Sequence, residues 1–160
     1  MEKTNVMRVL DQKKIVYTPH TIGDNTTMTG TQVADALGMP ADVVFKTLVT
    51  VGKSGANYVF VVPIGGELDL KKAAKAVGEK SIEMLKSREL LPLTGYIHGG
   101  CSPIGMKKFF KTTVDISAKE KTTIAFSAGK VGYQVELAPG DLSKVIRFQY
   151  ADIAVSSRNG

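Results

Sequence analysis

Val43-Val44-Phe45-Lys46-Thr47-Leu48-Val49-Thr50-Val51 is a short apolar run, rich in β-branched residues, and it reads as a strand. Side chains alternate across a strand. Val44, Lys46, Leu48 and Thr50 therefore share one face, and Phe45, Thr47, Val49 and Val51 the other. Both faces are largely apolar, which predicts a central strand covered on both sides. Lys46 is out of place there. A buried ammonium without compensation is costly, so it either carries its charge to an edge along its stem or faces a cleft that holds something negative or polar.

Helices and strands alternate irregularly on either side of this strand. Thr4 caps a first helix with Val6, Val9 and Leu10 on one face. Ile15-Val16-Tyr17 reads as a short strand ending near Pro19, and residues 21–30 as a loop. Thr29 and Gln32 form a capping-box pattern for a helix that ends at Gly38. Residues 57–63 return antiparallel to the Lys46 strand. Asp69 caps a helix with Leu70, Ala73, Ala74 and Val77 inward. Residues 81–91 read as helical turns, and 109–116, 122–127 and 131–137 as strands, the last two joined by a tight turn at Ala128-Gly129-Lys130. Pro139-Gly140-Asp141 opens a helix continuing through Val145 and Ile146, and 148–155 reads as an edge strand. This mixture predicts an α+β fold with a mixed, mostly antiparallel sheet surrounded by helices. Residues 1–155 are expected to form one domain, with 156–160 a frayed tail.

The 160 residues carry a net charge of +6, which favours a polyanionic partner. A single cysteine, Cys101, excludes an internal disulfide and a Cys-rich metal site and fits a reducing cytoplasm. No apolar run is long enough to span a membrane, and no cofactor motif appears.

A second informative stretch is Gly95-Tyr96-Ile97-His98-Gly99-Gly100-Cys101-Ser102-Pro103-Ile104-Gly105. Its glycines allow backbone to approach a ligand, and Ser102-Pro103 suits a helix start, where free N–H groups favour negative charge. Such a loop either connects elements or polarises an ester or phosphate. Cys101 as nucleophile would need a base; His98 lies three residues away, a spacing that implies no geometry in a flexible loop. Two basic clusters, Lys71, Lys72, Lys75 with Lys80, and Lys107, Lys108 with Lys111, are either solvated faces or phosphate-tracking surfaces.

The chain resembles the YbaK/EbsC branch of the prolyl-tRNA editing family. The resemblance rests on Phe45-Lys46-Thr47-Leu48, Leu70-Lys71-Lys72-Ala73-Ala74-Lys75, Gly99-Gly100-Cys101-Ser102-Pro103-Ile104-Gly105, and Ser127-Ala128-Gly129-Lys130 through Val135-Glu136-Leu137-Ala138-Pro139. It implies a barrel-like sheet and clearance of a wrong amino acid, Cys or another small residue, from tRNA, most often tRNA for proline. It implies Lys46 as the key side chain and places Gly99 to Pro103 beside the aminoacyl ester. Gly100 is then expected to help stabilise the oxyanion, with Thr47, Gly99, Cys101, Ser102, Pro103 and Ser127 contacting substrate. The six lysines at 71, 72, 75, 107, 108 and 111 would contact RNA. The expected partners are aminoacylated tRNA and a prolyl-tRNA synthetase, with no DNA, membrane, metal or cofactor. In Cys-directed members the substrate's own thiol attacks the ester. Those members carry aromatic side chains where this chain has Ile22 and Thr29, and the first loop is shorter here. The deacylase class is thus implied more firmly than the amino acid removed. The competing expectation is a non-catalytic module on the same fold that binds RNA or a synthetase.

Overall fold

The computed structural model describes residues 2–156. Residues 157–160, most of the expected tail, lie outside that range. Among the described residues, ten strands and five α-helices assemble in the order α1 (Asn5–Gln12), β1 (Thr18–Thr21), α2 (Gly30–Leu37), β2 (Phe45–Gly52), β3 (Asn57–Pro63), β4 (Gly66–Leu68), α3 (Leu70–Val77), β5 (Ile82–Met84), α4 (Ser87–Thr94), β6 (Lys111–Asp115), β7 (Ile124–Ser127), β8 (Tyr133–Leu137), α5 (Pro139–Leu142), β9 (Gln149–Ala151) and β10 (Ala154–Ser156).

The main sheet has the order β5-β2-β3-β6-β9. Its first two pairings are antiparallel and its last two parallel. A second, antiparallel sheet has the order β1-β8-β7, and β4 pairs with β10 apart from both. The fold is therefore α+β with a mixed sheet, as expected. The sheets do not close into a barrel: β7 meets β2 through one parallel bridge, Val44 to Ala125.

Residue alternation in β2 and β3 separates two cores. Phe45, Val49, Val59 and Val61 pack with α1 and with Phe126 and Val135 of the second sheet. Phe60 and Val62 pack under Ala73, Ala74 and Val77 of α3. Burying such a side chain contributes about 1.5–3 kcal/mol, so the central strand is anchored from both sides.

Caps sit where the side chains required them. The Thr4 hydroxyl accepts the Met7 N–H (3.2 Å), Thr29 and Gln32 form a reciprocal capping box, and the Asp69 carboxylate accepts the Lys71 and Lys72 N–H groups (3.0 Å each). Each such cap is worth about 1 kcal/mol.

Several boundaries moved. The first strand begins at Thr18, because α1 ends in a Schellman motif that consumes residues 13–15. Lys14 takes φ 58°, its N–H donates to the Asp11 carbonyl, and the Ile15 N–H donates to the Leu10 carbonyl. Pro19 then sits inside the strand, which is tolerated because β1 is an edge strand. Ile82–Met84 is a strand, because the end of β2 offers it an open edge. Leu70 is exposed, and α3 buries Ala73, Ala74 and Val77. Strand β6 begins only at Lys111, and the turn between β7 and β8 extends to Gly132. Helix α5 stops at Leu142 and continues as turns, and the expected 148–155 strand splits between two sheets.

Candidate active site

The central strand has a gap along one edge. Even-numbered residues of β2 bond to β3: the Ile64 N–H donates to the Val44 carbonyl and the Gly52 N–H to the Ala56 carbonyl, both at 2.8 Å. Odd-numbered peptide groups point the other way. There, the Val43 carbonyl accepts the Ala125 N–H (2.9 Å) and the Val49 carbonyl accepts the Leu85 N–H (3.1 Å). Between these two stitches, Lys46, Thr47 and Leu48 have a strand partner on the β3 side alone. The Thr47 N–H and carbonyl face the gap.

A cleft of about 420 Å³ opens over this gap, in the size range of small-ligand sites. The β2 edge forms its floor. Gly30 and Val33 of α2, Ser87 and Leu90 of α4, the 98–101 loop, and Ser127 with Gln134 of the second sheet form its walls. Among the described residues no carboxylate lines it, and the ionisable groups that do are Lys46, His98 and Cys101. Lys46 is half-buried and takes part in none of the ion pairs among the described residues. The lysine that stood out in the sequence is therefore a cation presented to an acid-free cleft.

Two buried polar atoms in the cleft lack any partner: Thr47 Oγ1 and Gln134 Oε1. Leaving such an atom unsatisfied costs about 1–3 kcal/mol, and a bound polar ligand would relieve it. Sequence reasoning missed Gln134, which is only 5% exposed. Alternation gave no signal for it, because Gln134 shares a strand face with Glu136, opposite the core residues Val135 and Leu137.

The expected loop residues divide. Gly99 and Cys101 line the cleft; Gly100, Ser102 and Pro103 do not. Gly100 is buried and its N–H already donates to the Ile97 carbonyl (3.0 Å). The Ser102 hydroxyl accepts the Ile104 N–H (3.3 Å), so it shapes the turn. Ser127 reaches the cleft, although its hydroxyl accepts the Gly129 N–H (3.1 Å).

Asn25 holds the cleft's two loops together, a role the sequence did not disclose. Its amide donates to the Gly99 carbonyl (3.3 Å) and its oxygen accepts the Gly132 N–H (3.0 Å). From the first loop, Asn25 and Met28 reach the cleft, while Ile22 and Thr29 do not line it. His20 is turned to Glu136 (3.0 Å), whose carboxyl is held below its usual range by the Thr123 hydroxyl first and His20 second.

Burial pushes the Cys101 thiol up to about 12 and the Tyr96 phenol likewise to about 12. A thiol so disposed is not a thiolate at neutral pH, which argues against a nucleophile. Cys101→Ser is therefore expected to retain most of the activity that the resemblance implies, measured by single-turnover deacylation. The same shifts contribute to alkaline stability. Both folded values lie above the ordinary 9.0 and 10.0, so the folded chain keeps protons that the unfolded chain has lost. This contribution is absent below the lower ordinary value and destabilises increasingly as pH rises toward the folded values. Cys101→Ser should flatten that decline in melts taken across the window. Unchanged alkaline slopes, or loss of activity with a trapped thioester, would reverse the assignment.

The two lysine clusters occupy different regions. Lys71, Lys72 and Lys75 lie on α3, over the Phe60 face of the main sheet, with Lys72 paired to Asp152 (3.1 Å). Lys107 and Lys108 flank residues packed into the other core; Lys107 donates to the Pro92 carbonyl (3.2 Å), and Lys108 lies 5.5 Å from the Phe110 ring centroid. Lys111 opens β6 and is exposed.

This fold and cleft define an editing-type domain. Residues 24–145 match the family model of the aminoacyl-tRNA editing domain, and the chain belongs to that family. It is 45% identical over 153 residues to "Putative Cys-tRNA(Pro)/Cys-tRNA(Cys) deacylase EbsC" of Enterococcus faecalis, covering 95% of this chain and 93% of that protein. It is 31% identical to part of the proline–tRNA ligase of Shouchella clausii, over 68% of this chain and 19% of the ligase. A solved structure described as a putative trans-editing enzyme for prolyl tRNA synthetase superimposes with a TM-score of 0.80 at 23% identity, covering 97% of this chain and all of that one, which shows the shared fold.

Proposed function

We propose that the protein is an aminoacyl-tRNA deacylase that removes a wrongly attached small amino acid, Cys foremost, from tRNA for proline. Family membership and the named Enterococcus relative support this reading. The observation that carries it is the cleft itself: one unpaired ammonium, no carboxylate, and two orphaned buried polar atoms around an exposed strand edge. That arrangement suits an ester whose carbonyl oxygen gains negative charge during cleavage.

Lys46 holds the anionic or carbonyl end of the substrate, and the Thr47 and Gln134 side chains complete its hydrogen bonds. The oxyanion role expected of Gly100 passes to its neighbour, because the Gly100 N–H is already used. The Cys101 N–H has no backbone partner among the described residues, and Cys101 lines the cleft. The lining hydroxyls lack an adjacent carboxylate to activate them. With a cysteinyl substrate, the substrate thiol attacks its own ester carbon, the C–O bond to the ribose breaks, and the thiol proton passes to the departing oxygen. Action in the cytoplasm, beside a prolyl-tRNA synthetase, completes the reading; no helix of the described residues is long and apolar enough to cross a membrane.

The test is turnover of tRNA charged with Cys, Ala or Ser. Cys-charged tRNA should be cleared well above its spontaneous rate, and most rapidly of the three. A flat response to all three, with RNA binding intact, would instead mark a non-catalytic binding module.

A further inference from the structure

A second groove, of about 310 Å³, is lined in part by the end of the loop that borders the cleft. Phe110 and Val145 make its apolar wall, and Pro103, Lys108, Phe109 and Arg147 make its rim. The two neighbouring phenylalanines have separate fates. Phe110 is buried, whereas Phe109 is 63% exposed and lies 5.7 Å from the Arg147 guanidinium. Lys108 and Arg147 belong to none of the ion pairs among the described residues, and no carboxylate lines the groove. An exposed ring backed by a cation, with unpaired positive charge beside it, is the combination that binds single-stranded nucleic acid.

The groove is also placed for it. Cys101 lines the cleft and Pro103 lines the groove. Two residues of chain span at most about 7 Å. The groove's edge at Pro103 thus lies within about one or two nucleotides' reach of the cleft's edge at Cys101.

We propose that this groove binds the unpaired nucleotides just before the esterified end, with one base stacked on Phe109 and the adjoining phosphates near Lys108 and Arg147. The surface thus takes single-stranded RNA rather than a protein. The placement rests on the deacylase reading, but the stacking itself does not need turnover.

The probe is an uncharged single-stranded RNA ending in CCA, with 2-aminopurine replacing a base upstream of the terminal adenosine. Wild-type protein should quench it, and Phe109→Ala should weaken binding about tenfold and abolish the quench. Phe109→Trp should restore both. Arg147→Gln should lower the salt slope of binding by about one. On mischarged tRNA, Phe109→Ala should raise KM and leave kcat unchanged. Wild-type affinity and quenching in Phe109→Ala would overturn the proposal, as would variants that lose association with a prolyl-tRNA synthetase but keep the RNA. If wild type quenches the probe but deacylates no tRNA, the groove stands and the deacylase reading falls.

Discussion

Lys46→Ala and Lys46→Met are expected to lose deacylation by on the order of 100-fold or more while melting close to wild type. The physical case has two parts. Among the described residues Lys46 is the only lysine or arginine lining the cleft and no carboxylate lines it, so no other described residue there offers a fixed charge to a developing oxyanion. It also has no ion-pair partner among the described residues, so its removal strands no opposite charge there. A lysine paired inside the fold would behave otherwise, costing roughly 3–5 kcal/mol when its partner was left alone. Lys46→Met keeps most of the apolar stem and separates the charge from the packing. Thermal melts beside single-turnover deacylation give the answer. Early melting of both variants would make Lys46 structural, and full activity in either would remove it from the mechanism.

Gly132→Ala should destabilise the protein by about 2–4 kcal/mol, lowering Tm by on the order of 10 °C. Gly132 has φ +82°, and a Cβ there would lie 2.1 Å from the Gly23 carbonyl oxygen, a backbone atom. The Ile22 N–H also donates to the Gly132 carbonyl (2.8 Å), so the first loop and the β7–β8 turn are stitched at this point. Two controls separate the causes. Gly38 has φ +68° with nothing near its Cβ position, so Gly38→Ala meets only the backbone term, about 1–2 kcal/mol. Gly140 has open space and an ordinary φ, and Gly140→Ala should be near neutral or slightly stabilising. If Gly132→Ala melts no lower than Gly38→Ala, the close approach of the two loops is not a real constraint. Because Asn25 joins Gly132 to Gly99, the variant should also lose activity at temperatures where it remains folded.

Some of this was legible in the residues themselves. The central strand, its antiparallel partner, the capped helices and the misplaced lysine follow from local rules: alternation, side-chain capping and the cost of burying charge. These interactions span a few residues, so their signals survive in one dimension. The motifs carried the family, which the family match bears out.

What the tertiary structure alone decided is how those pieces meet. β2 lacks a partner along one edge because β7 touches it at Val44 and β5 only from Thr50 onward, and no sequence period records an unpaired edge. Gln134 is orphaned because the second sheet brings it into the same cleft as Thr47, where neither side-chain oxygen meets a donor. The Gly100 N–H was committed to Ile97 by a turn whose closure depends on backbone angles that glycine leaves open. Phe109 and Phe110 both precede the strand they were expected to enter, which begins only at Lys111; packing into the core buries Phe110 and leaves Phe109 exposed. Local chemistry determined the elements and the lysine; which groups remain unpaired around that lysine depends on contacts between residues far apart in the chain.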